Sequence, residues 1–321
     1  MEAMQRTIWT RRTLIQRAYR SRGVIPQKYE KILMALYQYH LLTTDLLVPA
    51  VGSPRSISRI KEYIHHLEEL EHIARFPLRT AAGRSPLVCV LAVDGMKYLR
   101  DEKQLPIGSY TPPAEWKRLA STRLLHPLEL NKFIIAASKV GDYHPQIALA
   151  SFAHDFLLKS TPLLYTTPFG KKRGVIPDAI LNFAIRKEPD APAKRRVVWV
   201  ELERGTYHKA EFAQKLHEIY YVIEQGIFEE RYGAPLVKVC FVSTHGADHV
   251  QWMRMIARQL LLKLRGRINE KSMRNRTFYF AAIPSLQEGR ISTPEVFLTC
   301  YWQHPFDPAG QEQIQYPLLE L

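Results

Sequence analysis

The stretch that decides the fold runs from Val175 to Ile223. It reads VIPDAILNFAI (175–185), RKEPDAPAKRR (186–196), VVWVELERGT (197–206) and, a few residues on, EFAQKLHEIYYVI (211–223). The first and third runs are short, apolar and rich in β-branched residues, which predicts two strands. The charged, proline-containing run between them predicts a turn. The last run carries its apolar residues at helical spacing and predicts an amphipathic helix. Asp178 sits in the first strand, Glu201 and Glu203 end the second, and Lys215 lies one turn into the helix run.

Side chains alternate across a strand, so Val198, Val200 and Leu202 face one way and Trp199, Glu201 and Glu203 the other. Two acids on one face, beside an aspartate on a neighbouring strand, suit a hard divalent cation. Mg2+ or Mn2+ takes oxygen ligands and needs only one or two carboxylates, here Asp178 and Glu201. Such an ion polarises a phosphoryl group and lowers the pKa of a bound water. Glu203 is a candidate extra ligand. Lys215, with Phe212 three residues before it and Ile219 four after, belongs at the margin of the sheet-facing side. The alternative is an exposed ion pair with Glu211 at helical spacing, worth about 0.3–0.5 kcal/mol.

Outward from this centre the pattern is α/β. Residues 127–140 predict a helix, and IALASFAHDFLLKS (147–160) a second apolar helix. TPLLYTTP, VKVCFVST, RTFYFAAI and PEVFLTCYW predict strands, and HVQWMRMIARQLLLKLRGR a helix. The order implies a mixed sheet flanked by helices over residues 124–321. His245 and His249 read as loop and helix-start residues, since no glutamate is placed between them as in a zinc-protease helix.

Residues 23–101 form a separate pattern. Ile32, Leu33, Leu36 and Tyr37 mark one helix. Thr44 is a natural N-cap for a short helix at 45–50. Ile57, Ile60, Ile64, Leu67 and Leu70 stripe a third, with Ser53 as cap and Pro54 in its first turn. HIARFPL and PLVCVLAV then flank the basic turn RTAAGRS, and DGMKYLRDE closes the unit. Three helices and a hairpin is the order of a winged helix-turn-helix, whose third helix reads the major groove. Arg55, Ser56, Ser58, Arg59 and Lys61 on that helix, with Arg75, Arg79 and Arg84 on the hairpin, are the candidate DNA-contacting residues. A winged helix used only for protein contact remains the alternative. Residues 102–123, with Pro106, Gly108, Pro112 and Pro113, read as a linker.

The 321 residues are 46% hydrophobic and carry a formal net charge of +14. That excess favours polyanionic partners. Residues 1–123 hold 20 Lys/Arg against 11 Asp/Glu, and residues 124–321 hold 25 against 20. Residues 1–22, with six arginines, read either as a solvated tail or as an arm on the phosphate backbone. Cys89, Cys240 and Cys300 are far apart in apolar runs and read as core residues rather than as a disulfide or zinc framework. With no secretory signal and no membrane-length apolar run, the expected location is cytoplasmic. No phosphate-cradling glycine loop is present.

The proline–aspartate, glutamate and nearby lysine resemble the PD-(D/E)xK, restriction-endonuclease-like superfamily. More narrowly, LAVDGMKYL, LLHPLELN (124–131), IPDAIL (176–181), VELERGT (200–206), FAQKLHEIY (212–220) and VKVCFVST (237–244) together resemble the replication-relaxation family of bacterial plasmid and mobile-element proteins. The resemblance covers about residues 28–302. It implies a winged helix followed by a nuclease-like domain, acting in plasmid replication, relaxation or transfer. The implied partners are double-stranded DNA, other replication, mobilisation or transposition proteins, and a second copy of the chain. One departure matters. Glu203 stands where the superfamily usually has its lysine, two residues after the metal-binding Glu201. Either Lys215 supplies that cation from the helix, or the fold is kept and catalysis is lost.

Overall fold

A computed structural model of the chain describes residues 25–52, 57–79, 85–107, 110–188, 190–205, 208–234, 238–264, 277–286, 293–306 and 315–319. The chain divides into two compact units, Met1–Leu128 and Glu129–Leu321.

The first unit begins with α1 (Gln27–Tyr39), β1 (Leu41–Thr43), α2 (Thr44–Ala50) and α3 (Ile57–Glu69). It continues with β2 (Ile73–Pro77), β3 (Leu87–Leu91) and α4 (Val93–Asp101). The strands make an antiparallel sheet in the order β1-β3-β2. Its core is the predicted stripe: Ile32, Leu33, Leu36, Ile60, Ile64 and Leu67 are all buried. Ile57 departs from the stripe and is exposed at the start of α3. The short strand β1 was not anticipated, and it moves the cap of α2 back one residue. Thr43, not Thr44, accepts the Leu46 N–H at 3.3 Å. Ser53 and Pro54, read as the start of α3, lie outside the described residues, as does the arm at 1–22.

The stretch read as a linker contains α5 (Pro113–Arg118), which begins on a proline suited to a first helical turn and buries Trp116. The long helix α6 (Ser121–Ser138) follows, and the boundary between the units falls inside it, one residue after Pro127.

The second unit continues with α7 (Val140–Tyr143), β4 (Ile147–His154), α8 (Asp155–Leu158), β5 (Leu163–Thr166), β6 (Lys172–Val175), β7 (Ala179–Ile185) and β8 (Lys194–Glu203). Then come α9 (Lys209–Glu224), α10 (Ile227–Tyr232), β9 (Lys238–Ser243), α11 (Ala247–Leu261), β10 (Phe278–Ala282), α12 (Glu295–Leu298), β11 (Cys300–Trp302) and β12 (Tyr316–Pro317). Five strands form a mixed sheet in the order β10-β9-β8-β7-β4. The β4–β7–β8 pairs are antiparallel and the β8–β9–β10 pairs parallel. The class is α/β, as the alternation of strands and helices implied.

Three stretches of the second unit differ from the sequence expectation. VIPDAILNFAI is not one strand: Val175 ends β6, β7 starts at Ala179, and Asp178 lies between them. Residues 147–154 are the edge strand β4, not a helix, and only 155–158 are helical. The alanine- and leucine-rich run carries no decisive period, and pairing with β7 decides it. PEVFLTCYW is not one strand but the helical turn α12 followed by β11.

The central strand β8 is buried on both faces from Val197 to Glu203, as parallel sheets require. On one face Val197, Trp199, Val239 and Phe241 pack against Phe212, Leu216 and Ile219 of α9 and Met253 and Ile256 of α11. On the other, Phe133 of α6 and Phe183 of β7 meet Phe297, with ring centroids 4.7 and 5.7 Å apart. Cys89 and Cys240 are buried, as expected of core residues.

Gly95 in α4 lies against the carbonyl of His72, which also accepts the Ala92 N–H at 3.0 Å. A Cβ at Gly95 would stand 2.1 Å from that oxygen. Backbone on both sides leaves little room to yield, so Gly95→Ala is expected to destabilise the first unit by about 3 kcal/mol, at the high end of overpacking costs. Chemical denaturation with an unchanged midpoint would contradict this packing.

Candidate functional site

The acids at the end of β8 and the lysine of α9 converge. Lys215 Nζ lies 3.0 Å from Glu201 Oε2 and donates to the Ile176 carbonyl at 3.2 Å. The Lys215 side chain is 18% exposed and that of Glu201 2%. The other oxygen of Glu201 accepts from the Trp199 indole N–H at 2.6 Å. That partner sits two residues earlier on the same strand face, where alternation puts it.

Asp178 closes the third side. The β7–β8 ladder ends at Ala179 opposite Val200. Beyond it, Asp178 Oδ2 takes over from the backbone and accepts the Leu202 N–H at 2.8 Å. The Asp178 carbonyl is itself held by the Asp155 N–H at 2.9 Å. Asp155 pairs with His154 and Lys159. Burial alone would raise its carboxyl, but those two partners hold it down at about 2.

The placement of α9 follows from its start. His208 is the N-cap, and Glu211 reaches back to the His208 N–H at 3.0 Å in a capping box. Glu211 is thus engaged at the helix start, and the ion pair of Lys215 is with Glu201. Gly205, at φ +68°, makes the turn out of β8, where a Cβ would meet the His245 ring at 2.8 Å. A left-handed turn in so close a space calls for glycine.

Glu203 is buried beside Ser243 of β9 in the parallel register. Its backbone carbonyl accepts the Thr244 N–H at 3.0 Å. Ser243 Oγ is 2.9 Å from His249 Nδ1 and accepts the His245 N–H at 3.0 Å. This serine–histidine contact escaped the sequence reading, because only the fold brings β9 and the first turn of α11 beside Glu203. A second buried group also escaped it. Glu129 and Lys132 of α6 lie 3.6 Å apart, and Glu129 Oε1 accepts the Leu286 N–H while Lys132 donates to the Pro284 carbonyl.

The electrostatics are those of acids crowded out of water. Burial is the largest influence on Glu201 and Asp178 adds to it. Lys215 and the indole oppose them, and the carboxyl stands at about 8. Glu203 is pushed to about 9 by burial, then by Glu201 and Asp178, with Lys215 opposing. Among the described residues no group of three or more His, Cys, Asp or Glu is arranged to hold a metal ion. A hard cation with one or two carboxylate ligands still fits this donor set, which is all oxygen and carries more acid than one lysine balances.

On the first unit, Ser58, Arg59 and Lys61 lie on the exposed face of α3, and Arg79 is exposed beyond β2. Arg75 is half-buried and donates through Nε to Glu68 at 2.8 Å, with a second contact through Nη2. Arg55, Ser56 and Arg84 lie outside the described residues.

The raised carboxyl of Glu203 has a pH signature. A group whose folded pKa exceeds its unfolded value binds protons more tightly when folded. Its contribution is complete below about pH 4.5 and is lost as pH rises towards 9. In metal-free buffer the wild-type protein should therefore lose stability from pH 5 to 9. Glu203→Gln should flatten that decline and be the more stable protein at pH 8.5 by on the order of 3 kcal/mol. Parallel pH profiles for the two proteins would show that Glu203 is not buried as described.

The family model for replication-relaxation matches residues 33–237, which include α3, the β2–β3 hairpin, Asp178, Glu201, Glu203 and Lys215. No curated protein and no solved structure matches the chain. The family match covers well over half of the 321 residues, and the chain belongs to the replication-relaxation family.

Proposed function

We propose that the protein binds double-stranded DNA of a plasmid or mobile element through a winged helix in its first unit, and that its second unit is a restriction-endonuclease-like domain that nicks or cleaves DNA with Mg2+ or Mn2+. The observation that carries the nuclease reading is the 3.0 Å approach of Lys215 Nζ to Glu201 Oε2. It supplies from the helix the cation that Glu203 displaces from the strand. Family membership supports the setting in replication or relaxation. The order of α1 to α4 with the sheet β1-β3-β2 supports the winged helix, with Ser58, Arg59 and Lys61 outward on α3.

Asp178 and Glu201 would hold the divalent ion, with Glu203 beside them. The ion's chemistry is to polarise a phosphodiester oxygen and acidify a water. The chain's own residues prepare the ground. The indole of Trp199 fixes one Glu201 oxygen, the Leu202 N–H orients Asp178, and Lys215 sets a positive charge where negative charge would gather on the phosphate. A second reading is favoured by one observation, the buried acid Glu203 standing where the superfamily usually has its strand lysine. On that reading the domain is an adaptor that keeps the nuclease shape for docking in replication or transfer.

Supercoiled plasmid incubated with the protein separates the two. Open-circle product is expected with Mg2+ or Mn2+ and not with EDTA. Asp178→Ala and Glu201→Ala should abolish it, and Lys215→Ala should slow it about 100-fold. No conversion with either metal leaves the adaptor. For the first unit, Arg59→Ala combined with Lys61→Ala should weaken duplex binding and reduce the slope of log affinity against log salt by about 2. An unchanged slope would remove α3 as the DNA-contacting helix.

A further inference from the structure

Within the first unit a cavity of about 560 Å³ opens between the end of β2 and the start of α6. Its size lies in the range of roughly 300–1,000 Å³ usual for small-molecule sites. Arg75, Arg79, Lys117 and Arg118 line it, with no carboxylate among the described lining residues. Arg79, Lys117 and Arg118 are exposed, while Glu68 holds the guanidinium of Arg75 from the side. Cations gathered at one mouth repel one another, and an anion relieves that repulsion. The remaining walls include Phe76, Leu119 and Leu124, of which Phe76 and Leu124 are buried. An apolar floor under a basic rim suits an anion joined to a flat organic body. Guanidinium groups match phosphate geometry in a fork, and apolar and aromatic surfaces accept a base or sugar.

We propose that this cavity binds a nucleotide, its phosphate at Arg79, Lys117 and Arg118 and its nucleoside against Phe76 and Leu124. Two sources share that chemistry, a free mononucleotide and a nucleotide unit of bound DNA. The second source rests on the DNA-binding reading of the first unit, and the test separates them.

The test uses the full chain and Lys117→Glu combined with Arg118→Glu. Both positions are exposed, so folding should be unaffected, and a thermal melt checks it. Lys117→Ala with Arg118→Ala replaces the reversal if the melt shifts. Calorimetric titration with dAMP, and with inorganic phosphate, reads the free-nucleotide source. Fluorescence anisotropy of a short duplex across a salt series reads the DNA source. Binding of dAMP that weakens at least tenfold in the variant establishes the free nucleotide. Silence with dAMP, together with a tenfold loss of duplex affinity and a salt slope smaller by about 2, establishes the DNA source. A variant that changes neither dAMP binding nor duplex binding overturns the proposal. If Arg59→Ala with Lys61→Ala weakens the duplex while the cavity variant moves neither readout, only the cavity falls and the DNA-binding reading stands. If the cavity variant loses dAMP while neither variant changes the duplex, the cavity stands and that reading falls.

Discussion

The burial of Glu201 is the constraint from which the second unit can be read. A carboxyl removed from water at the end of a central strand costs several kcal/mol unless its oxygens find partners. Both find them. One comes from Trp199 of the same strand and the other from Lys215 of the next helix. The second partner fixes where α9 must run. It must start soon after β8 and lay its second turn over the strand end. Gly205, the His208 cap and Glu211 are the local choices that meet this demand, and each serves the same placement. Agreement between turn, cap, helix face and buried acid is what lets one sequence specify one arrangement.

How far this was legible depends on whether the information was local. Alternation along VVWVELE put Glu201 and Glu203 on one face without further help, and helical spacing put Lys215 beside Phe212 and Ile219. The apolar stripe of α3 was equally plain, apart from exposed Ile57. What failed was set by pairing at a distance. The run at 147–154 is too short and too alanine-rich to declare itself, and it becomes a strand because β7 offers an edge. The short β1 exists because β3 pairs with it. In the site, the hydrogen bond from Leu202 to Asp178 depends on the sheet register, and the contact of Ser243 with His249 on the packing of α11 beside β9.

Asp178 illustrates why a site residue read from sequence alone is incompletely understood. Its type and position mark it as an acid on a strand adjacent to Glu201. The structure gives it a second task, since its carboxylate extends the β7–β8 pairing past the last backbone rung at Ala179 and Val200. Replacing it removes a charge from the acid cluster and also frees a strand-end N–H. The neutral isostere asparagine, which can still accept that N–H through its carbonyl, separates the two roles, whereas alanine merges them.

Glu203 decides the charge balance. With Asp178, Glu201 and Glu203 all ionised, one ammonium from Lys215 leaves two negative charges, Glu201 and Glu203 buried and Asp178 half-buried. That state is unfavourable: burial lifts both Glu201 and Glu203, Asp178 adds to each, and Glu201 adds to Glu203. Two protons restore neutrality, and so does one divalent cation. A lysine at position 203 would have cancelled the surplus, leaving two carboxylates against two ammonium groups. The surplus of two negative charges therefore comes from the acid at 203 and not from the position of the amine. The same surplus opposes the approach of any anion until it is neutralised.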